Sequence, residues 1–284
     1  MWRALGAVLA ATAGTAFLSG RQLTLFFSQL GGMSWLAVGT ASALFGLCCG
    51  ALCRFARQTG GENVAAVLMR RLDPRTGAAA GAAHGLLRAA LAGIMLCVAG
   101  HMTALLWMAK NAFWMGAAGA LLTGALLTAA PLRMGRGRAV LGWMVLALGA
   151  AFYLALALDG REVQYATRYE VTLLWRGSAP AALALGAMHA ALNVCAAAVA
   201  VVESARRVSS PVKFGAACGA GMLAMIAPAN AALLRGGEKL TVQAMPTVLL
   251  AARRGQPGFV ICAGFMALCA VATLSSLLPG REKR

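Results

Sequence analysis

Residues 4–30 read ALGAVLAATAGTAFLSGRQLTLFFSQL, an apolar run that the polar stretch Ser19-Gly20-Arg21-Gln22 interrupts. Comparable apolar runs recur along the chain, and each is close to the ~20 residues that cross a bilayer as an α-helix. Only 12% of the 284 residues are charged and 61% are hydrophobic, whereas a soluble domain of this size has about 25% charged residues. The surplus apolar surface therefore has to face lipid, which predicts an all-α integral membrane protein.

Eight runs predict about eight transmembrane helices in a single transmembrane domain, residues 1–284. They cover about residues 4–30, 35–55, 89–107, 112–132, 139–158, 179–202, 214–234 and 258–278. A polar stretch, residues 56–83, separates the second run from the third and contains a short amphipathic piece at residues 62–72. Two GxxxG sequences, Gly46 to Gly50 and Gly215 to Gly219, have the spacing that lets helix backbones touch.

The basic residues give the expected orientation. Connections on the side of the N-terminus hold 16 Lys and Arg residues, against eight on the opposite side. Because cytoplasmic loops are enriched in Lys and Arg, we expect a multi-pass protein of the cell (plasma) membrane with both termini in the cytoplasm. The last connection on the opposite side fits least well, since it holds Arg235, Lys239, Arg253 and Arg254.

Several other functions are not supported by the residues. The net charge of +17 is spread between apolar runs rather than along one face, so it indicates topology signals and no nucleic-acid partner. The N-terminus fits a cleaved signal peptide only loosely, because apolar character resumes after Arg21. The eight cysteines lie in apolar runs without a CxxC pair. No HExxH motif, Ser/His/Asp set or paired intramembrane carboxylates point to an enzyme or a bound cofactor.

Charged residues outside the runs suggest ordinary roles. Glu203 is expected to pair with Arg206 and Arg207 at a helix end. Asp159 belongs to a stretch of alternating charges that predicts a solvated loop.

The interruption of the first run has two interpretations. Gly14, Ser19 and Gly20 weaken a helix, and unwound backbone at membrane depth is tolerated where it is buried or lines a wet cavity. Transporters build binding sites from such discontinuous helices. Alternatively, a helix ends near Ser19 and an interfacial turn follows, with Arg21 reaching the headgroups.

The stretch from Gly14 to Leu23, followed by Phe26-Phe27, resembles the first-helix signature of the YkvI-like membrane proteins, which are relatives of amino-acid transporters with the LeuT fold. The family pattern is roughly G-A-G-F-A-S-G-Q-E-I and then a Phe pair. It is matched by Gly14, Phe17, Ser19, Gly20, Phe26 and Phe27, with the family's small residues at Thr15 and Ala16. The family's Gln falls at Arg21 and its Glu at Gln22, so a cation and an amide replace them.

The resemblance implies a LeuT-like inverted-repeat bundle with a broken first helix. Asn193 in the sixth run and Met245-Pro246 before the eighth run follow the family's order. The LeuT fold has ten core helices, and this chain stops after the eighth run. We therefore expect a reduced member of the fold, or one that a second membrane protein or another copy completes.

The candidate substrate site lies between the first and sixth helices. On the first helix the expected residues are Gly14, Thr15, Phe17, Ser19, Gly20, Arg21 and Gln22. His189 and Asn193 share one face of the sixth helix because they are four residues apart, and they either line the cavity or form an interhelical hydrogen bond. The resemblance also implies a site for sodium as a coupling ion, formed by the hydroxyls of Thr273, Ser275 and Ser276 and by the backbone carbonyls around Gly14 of the first helix.

These expectations combine into a secondary transporter for a small polar or carboxylate-bearing solute such as an amino acid. Arg21 suggests the carboxylate, because its guanidinium can bind one in bidentate fashion. The alternative is a non-transporting sensor or assembly subunit that retains the transporter fold. The expected partners are the lipid bilayer and the solute.

Overall fold

The computed structural model describes residues 1–17, 20–60, 63–106, 114, 118–119, 135–160, 175–243 and 245–277. These residues form helices and connections, with no strand among them. The α-helices are α1 (Trp2–Phe17), α2 (Arg21–Phe26), α3 (Ser34–Thr59), α4 (Val64–Arg71), α5 (Pro74–Leu106), α6 (Gly135–Leu158), α7 (Ala179–Ser204), α8 (Pro211–Arg235), α9 (Pro246–Ala252) and α10 (Gln256–Leu277). Short 3-10 helices span Ser28–Met33, Ala205–Arg207 and Glu238–Val242.

Six helical segments of the described residues are long and apolar enough to cross a membrane. They are Ser28–Thr59, Pro74–Met102, Arg136–Leu158, Ala179–Arg207, Pro211–Arg235 and Gln256–Leu277. These segments coincide with the second, third and fifth to eighth predicted runs, so an all-α, multi-pass membrane protein is supported. The fourth run, residues 112–132, lies almost entirely outside the described residues. Eight spans and the inverted repeat therefore stay predictions.

The first run forms two helices rather than one. Helix α1 ends at Phe17, and α2 begins at Arg21. With 16 residues and a rise of ~1.5 Å per residue, α1 is ~24 Å long, which is less than the ~30 Å hydrocarbon core. The chain therefore breaks before α1 has crossed a bilayer.

Capping side chains set several helix starts, and one start differs from the prediction. Helix α5 begins at Pro74, not near residue 89, because Asp73 Oδ1 accepts hydrogen bonds from the amides of Arg75 and Thr76 (3.1 Å each). Residues 78–83 are mostly alanine, which favours a helix without being strongly apolar. Helix α4 falls on the predicted amphipathic piece, and its N-cap Asn63 accepts from the Ala66 amide at 2.8 Å.

The broken first helix lies at the centre of the bundle. Helix α1 packs against α6, α7, α8 and α10. Its Val8, Leu9, Ala10 and Ala11 are fully buried. Helix α3 packs on α7 and α8, while α5 packs on α4 and α10. The middle of α1 and Gly20, on either side of the break, are thus buried in protein.

Glycines bring two pairs of helices into backbone contact. The two GxxxG sequences pack on each other, since a Cβ added at Gly215 of α8 would lie 2.6 Å from the Gly46 carbonyl oxygen of α3. The reciprocal Cβ at Gly46 would lie 2.8 Å from the Gly215 carbonyl oxygen. A similar contact joins α1 to α6, where a Cβ at Gly6 would lie 2.5 Å from the Ala139 carbonyl oxygen.

Arginines bind the exposed carbonyls at the C-terminal end of α6. Arg235 donates to the Ala157 carbonyl, Arg253 to Leu156, and Arg254 to Ala155 at 2.8 Å. The Asp159 carboxylate accepts from Arg254 Nε at 2.6 Å, and its side chain is only 8% exposed. The expectation of a solvated loop is therefore wrong for Asp159, because it lies between arginines that neutralise this helix end.

The expected partner of Glu203 is also wrong. Its carboxylate lies 3.3 Å from Arg138 Nη1 at the start of α6, while Arg206 donates to the Gly60 carbonyl at the end of α3. The Arg138 side chain is 6% exposed and needs a counterion, which the more exposed Arg206 needs less. Arg88 of α5 binds the Leu277 carbonyl at the end of α10. The topology predicted from the sequence places the connections that hold these residues at the same end of the bundle. The structure brings them into contact there.

Candidate functional site

The site is built around the interruption of the first helix. Gly20 precedes α2 with φ 72° and ψ −9°, a left-handed conformation that favours glycine. A Cβ at Gly20 would collide with Thr247 Oγ1 of α9 and would lie 3.2 Å from Pro246 Cγ. Glycine is therefore required both for the turn and for the close approach of α9. The N-terminus of α9 covers the break.

Thr273 of α10 is hydrogen-bonded to the last turns of α1. Its hydroxyl oxygen accepts from the Gly14 amide at 2.5 Å and donates to the Ala10 carbonyl at 3.1 Å. Ala10 and Gly14 are four residues apart, so one side chain joins both members of an intrahelical pair. The expected approach of the eighth run to Gly14 is therefore present at Thr273.

The other two residues of the predicted sodium site have different partners. The hydroxyls of Ser275 and Ser276 donate to the Ala272 carbonyl of their own helix, at 2.7 and 3.2 Å. Hydroxyls in transmembrane helices commonly bond the preceding turn in this way. Among the described residues, no group of three His, Cys, Asp or Glu side chains has a metal-site arrangement. The structure thus brings Thr273 alone of the three to α1, and sodium binding stays a prediction.

Arg21 binds a connection of the chain. Its guanidinium donates to the Thr241 carbonyl and, at 3.4 Å, to the Gln243 carbonyl. Both carbonyls belong to the segment between α8 and α9, which contains the 3-10 helix Glu238–Val242. Arg21 therefore links the restart of the first helix to the segment that leads into α9, a role that neither interpretation of the sequence included.

His189 of α7 faces the second half of the broken helix. The side chain is fully buried, with ring centroids 4.8 Å from Phe27 and 5.4 Å from Phe26. Both ring nitrogens are buried and have no hydrogen-bond partner in the part of the chain described here. A buried polar group without a partner costs about 1–3 kcal/mol, so His189 is a candidate for ligand binding.

The remaining predicted residues are placed as follows. Asn193 is buried, and its amide donates to the His189 carbonyl one turn earlier at 2.9 Å. Gln22 is half-buried in the first turn of α2. Thr15 and Phe17 belong to the last turn of α1, and their side chains, like the whole of Ser19, lie outside the described residues.

Sequence reasoning missed two residues beside the break. The Tyr153 hydroxyl of α6 lies 3.0 Å from Thr247 Oγ1, and both side chains are fully buried. The ring of Tyr153 also packs edge-on against Phe265 of α10, with a centroid distance of 6.0 Å. One signal was available, because Tyr153 is the only tyrosine within the predicted runs. Thr247 carried no such signal, because its position depends on how α9 folds back.

Comparison with known proteins does not identify a family with this arrangement. No protein-family model matches the chain, and no curated protein is significantly similar to it.

Proposed function

We propose that this protein is a transporter-like membrane protein for a small polar or carboxylate-bearing solute, such as an amino acid. The solute would bind between the broken first helix and α7. One observation carries the proposal: the first helix stops at Phe17 and restarts at Arg21 within the bundle, and His189, whose ring nitrogens have no partner among the described residues, faces the restart. The arrangement places the end of one helix and the start of another beside the buried polar side chain of His189.

The interruption supplies backbone groups for a ligand. A helix end leaves carbonyls without intrahelical partners, and a helix start leaves amides without them. The end of α1 at Phe17 and the start of α2 at Arg21 bring both kinds of helix end close together in sequence. In discontinuous membrane helices the amides face anionic groups and the carbonyls face cations. A zwitterionic amino acid has one group for each.

Side chains around the break would orient the solute. His189 offers one donor and one acceptor when neutral. Arg21 brings a permanent charge to the start of α2, where it donates to the Thr241 and Gln243 carbonyls. A carboxylate is a stronger partner for a guanidinium than a carbonyl is. If Arg21 exchanged these carbonyls for a solute carboxylate, the segment before α9 would be released. Solute binding would then be coupled to the movement of α9 away from the break.

A coupling ion would bind where α10 meets α1. Thr273 and the Ala10 carbonyl are neutral oxygen ligands of the kind that hard cations prefer. Sodium would have to compete with the hydrogen bonds that Thr273 makes at present. This proposal follows the resemblance to YkvI-like and other LeuT-fold proteins, as does a second membrane protein or another copy that completes a reduced bundle.

The alternative is a sensor or assembly subunit that retains the fold without transporting. The close packing of α9 on Gly20 favours it, because a permanently covered break would signal binding without passing a solute on. The two functions differ in net solute movement.

Uptake by the purified protein in liposomes tests the proposal. Labelled amino acids and small carboxylates would be offered with and without a sodium gradient. We expect uptake of at least one class and a loss of about tenfold or more in His189→Leu, since about 1.4 kcal/mol of lost binding corresponds to tenfold. Arg21→Lys should also impair uptake, because it keeps the charge and loses the bidentate geometry.

His101→Leu is the matched control, because it removes an exposed histidine from another transmembrane segment. If solutes raise the melting temperature but are not taken up, the non-transporting alternative is correct. Normal uptake by His189→Leu would exclude α7 from the site, and normal uptake by Arg21→Lys would reduce Arg21 to a structural link.

A further inference from the structure

A cavity lies at the end of the molecule where α6 stops and α10 starts. Its volume is about 460 Å³, and it is lined by Asp159, Arg254, Pro257, Gly258 and Ile261. It is separate from the interruption of the first helix. Because helix ends of a membrane protein lie near the lipid headgroups, a cavity at this place is expected at headgroup level.

The charge around the cavity is positive. Arg235, Arg253 and Arg254 converge on the end of α6, and Asp159 is the acidic side chain among them. Among the described residues, these three arginines and this one carboxylate leave a local excess of two positive charges. The N-terminus of the 22-residue helix α10 also faces the cavity through Pro257 and Gly258, and it adds the positive end of a helix dipole.

Arg254 has hydrogen-bond donors to spare. Its Nε donates to Asp159 at 2.6 Å and its Nη2 donates to the Ala155 carbonyl at 2.8 Å. A guanidinium has five N–H groups, so three remain without a partner among the described residues. The side chain is 40% exposed. The arginine is therefore held in place by two bonds while its free edge is open to the cavity.

The rim of the cavity is apolar on one side. Ile261, which lines the cavity, is 60% exposed, and its neighbour Val260 is 53% exposed. Exposed aliphatic residues on a membrane-spanning helix face lipid chains. A ligand at this place would therefore meet a cationic, hydrogen-bonding wall on one side and an apolar wall on the other.

We propose that this cavity binds the headgroup phosphate of an anionic phospholipid, with its acyl chains along Val260 and Ile261. Arg254 donates to the phosphate oxygens, and the remaining positive charge selects a lipid with net negative charge. A bound lipid would hold α10 against the end of α6. This inference is independent of whether the protein transports a solute.

Native mass spectrometry of the full chain in detergent tests the proposal with phosphatidylglycerol as the probe. We expect one tightly bound phosphatidylglycerol and at least tenfold weaker binding of phosphatidylcholine. Arg254→Gln should weaken phosphatidylglycerol binding by about tenfold, since a charged hydrogen bond is lost. Arg207→Gln is the matched control, because it removes an exposed arginine at the opposite end and should leave binding unchanged.

A second variant keeps the test informative if Arg254→Gln folds poorly. Ile261→Trp fills the cavity from the exposed side and leaves every arginine contact intact, so it should also reduce binding. Unchanged phosphatidylglycerol binding in both variants overturns the proposal. Equal binding of phosphatidylcholine overturns the charge selection. If inorganic phosphate raises the melting temperature as much as phosphatidylglycerol does, the occupant is a free anion and the lipid assignment is wrong.

Discussion

The crossing of α3 and α8 and the interruption of the first helix are built in opposite ways. At the crossing, glycine backbones touch, and a single methyl group would lie 2.6 Å from a carbonyl oxygen. At the interruption, the chain leaves the helix, and the ring of His189 is buried without a hydrogen-bond partner in the described part of the chain. The first arrangement is optimised for packing, and the second retains unfavourable groups that a ligand would satisfy. We therefore expect mutations at the two regions to separate stability from the proposed solute binding.

The largest effect is expected at the crossing. Gly215→Ala should lower the free energy of unfolding by about 2–3 kcal/mol, because overpacking forces the two backbones apart. Gly39→Ala on α3 is the matched control, since a Cβ there meets nothing within 4 Å. The control should be neutral or stabilising by up to about 1 kcal/mol, because alanine favours the helix. Thermal unfolding in detergent measures both, and equal melting temperatures would refute a tight crossing.

A smaller loss is expected beside the interruption, where α10 is hydrogen-bonded to α1. Thr273→Val removes the hydroxyl that joins α10 to Gly14 and Ala10 of α1, which should destabilise the protein by about 1–2 kcal/mol. Ser275→Ala serves as the control, because its hydroxyl bonds only within its own helix, and it should change stability by less than about 0.5 kcal/mol. A larger loss in Ser275→Ala would mean that α1 is held by other contacts.

At the interruption, we expect a substitution to stabilise the protein rather than destabilise it. His189→Leu removes two buried nitrogens without partners and should stabilise the protein by about 1 kcal/mol, even as it impairs solute binding. His101→Leu, at an exposed position, should not change stability. Melting temperatures without added solute provide the measurement. Strong destabilisation by His189→Leu would show that the imidazole is needed for packing, and the contrast between the two regions would fail.

The smallest effect concerns a cap that belongs to neither region. Hydrogen bonds from Thr76, with a further contribution from the Arg75 amide, lower the pKa of the Asp73 carboxyl. A lowered pKa stabilises the fold above the unfolded pKa, and this contribution is lost as the pH falls through the folded value. The wild type should therefore melt slightly above Asp73→Asn near neutral pH and lose this advantage on acidification. If the difference in melting temperature between the wild type and Asp73→Asn grew on acidification, the predicted direction of the pH dependence would be wrong.

Local features of the sequence predicted much of this architecture. Glycine and serine weaken a helix wherever they occur, so the interruption near Ser19 and Gly20 could be predicted from residues 14–22. Apolar runs likewise predicted the helices that the structure describes at 34–59 and 179–204. The start of α5 at Pro74 was missed because an alanine-rich segment forms a helix without being strongly apolar.

Partnerships between distant residues could not be predicted. Glu203 has two arginines close by in sequence, yet it pairs with Arg138, 65 positions away. Asp159 looks like part of a solvated loop until α8 and α10 bring arginines to it. Tyr153 and Thr247 meet only because α9 folds back onto Gly20. In each case a tertiary contact determines the partner of the side chain, and the local sequence pattern carries no information about that contact.

The hydroxyl of Thr273 gives the protein a built-in reporter. The Gly14 amide is bound by a side chain from a helix 259 positions further along the chain. Hydrogen–deuterium exchange at this amide therefore requires α10 to separate from α1 as well as the last turns of α1 to open, whereas exchange at amides in the middle of α1 requires only the unfolding of that helix. Selective protection of Gly14 on addition of sodium or solute would register a rearrangement of the two helices before any transported molecule is detected.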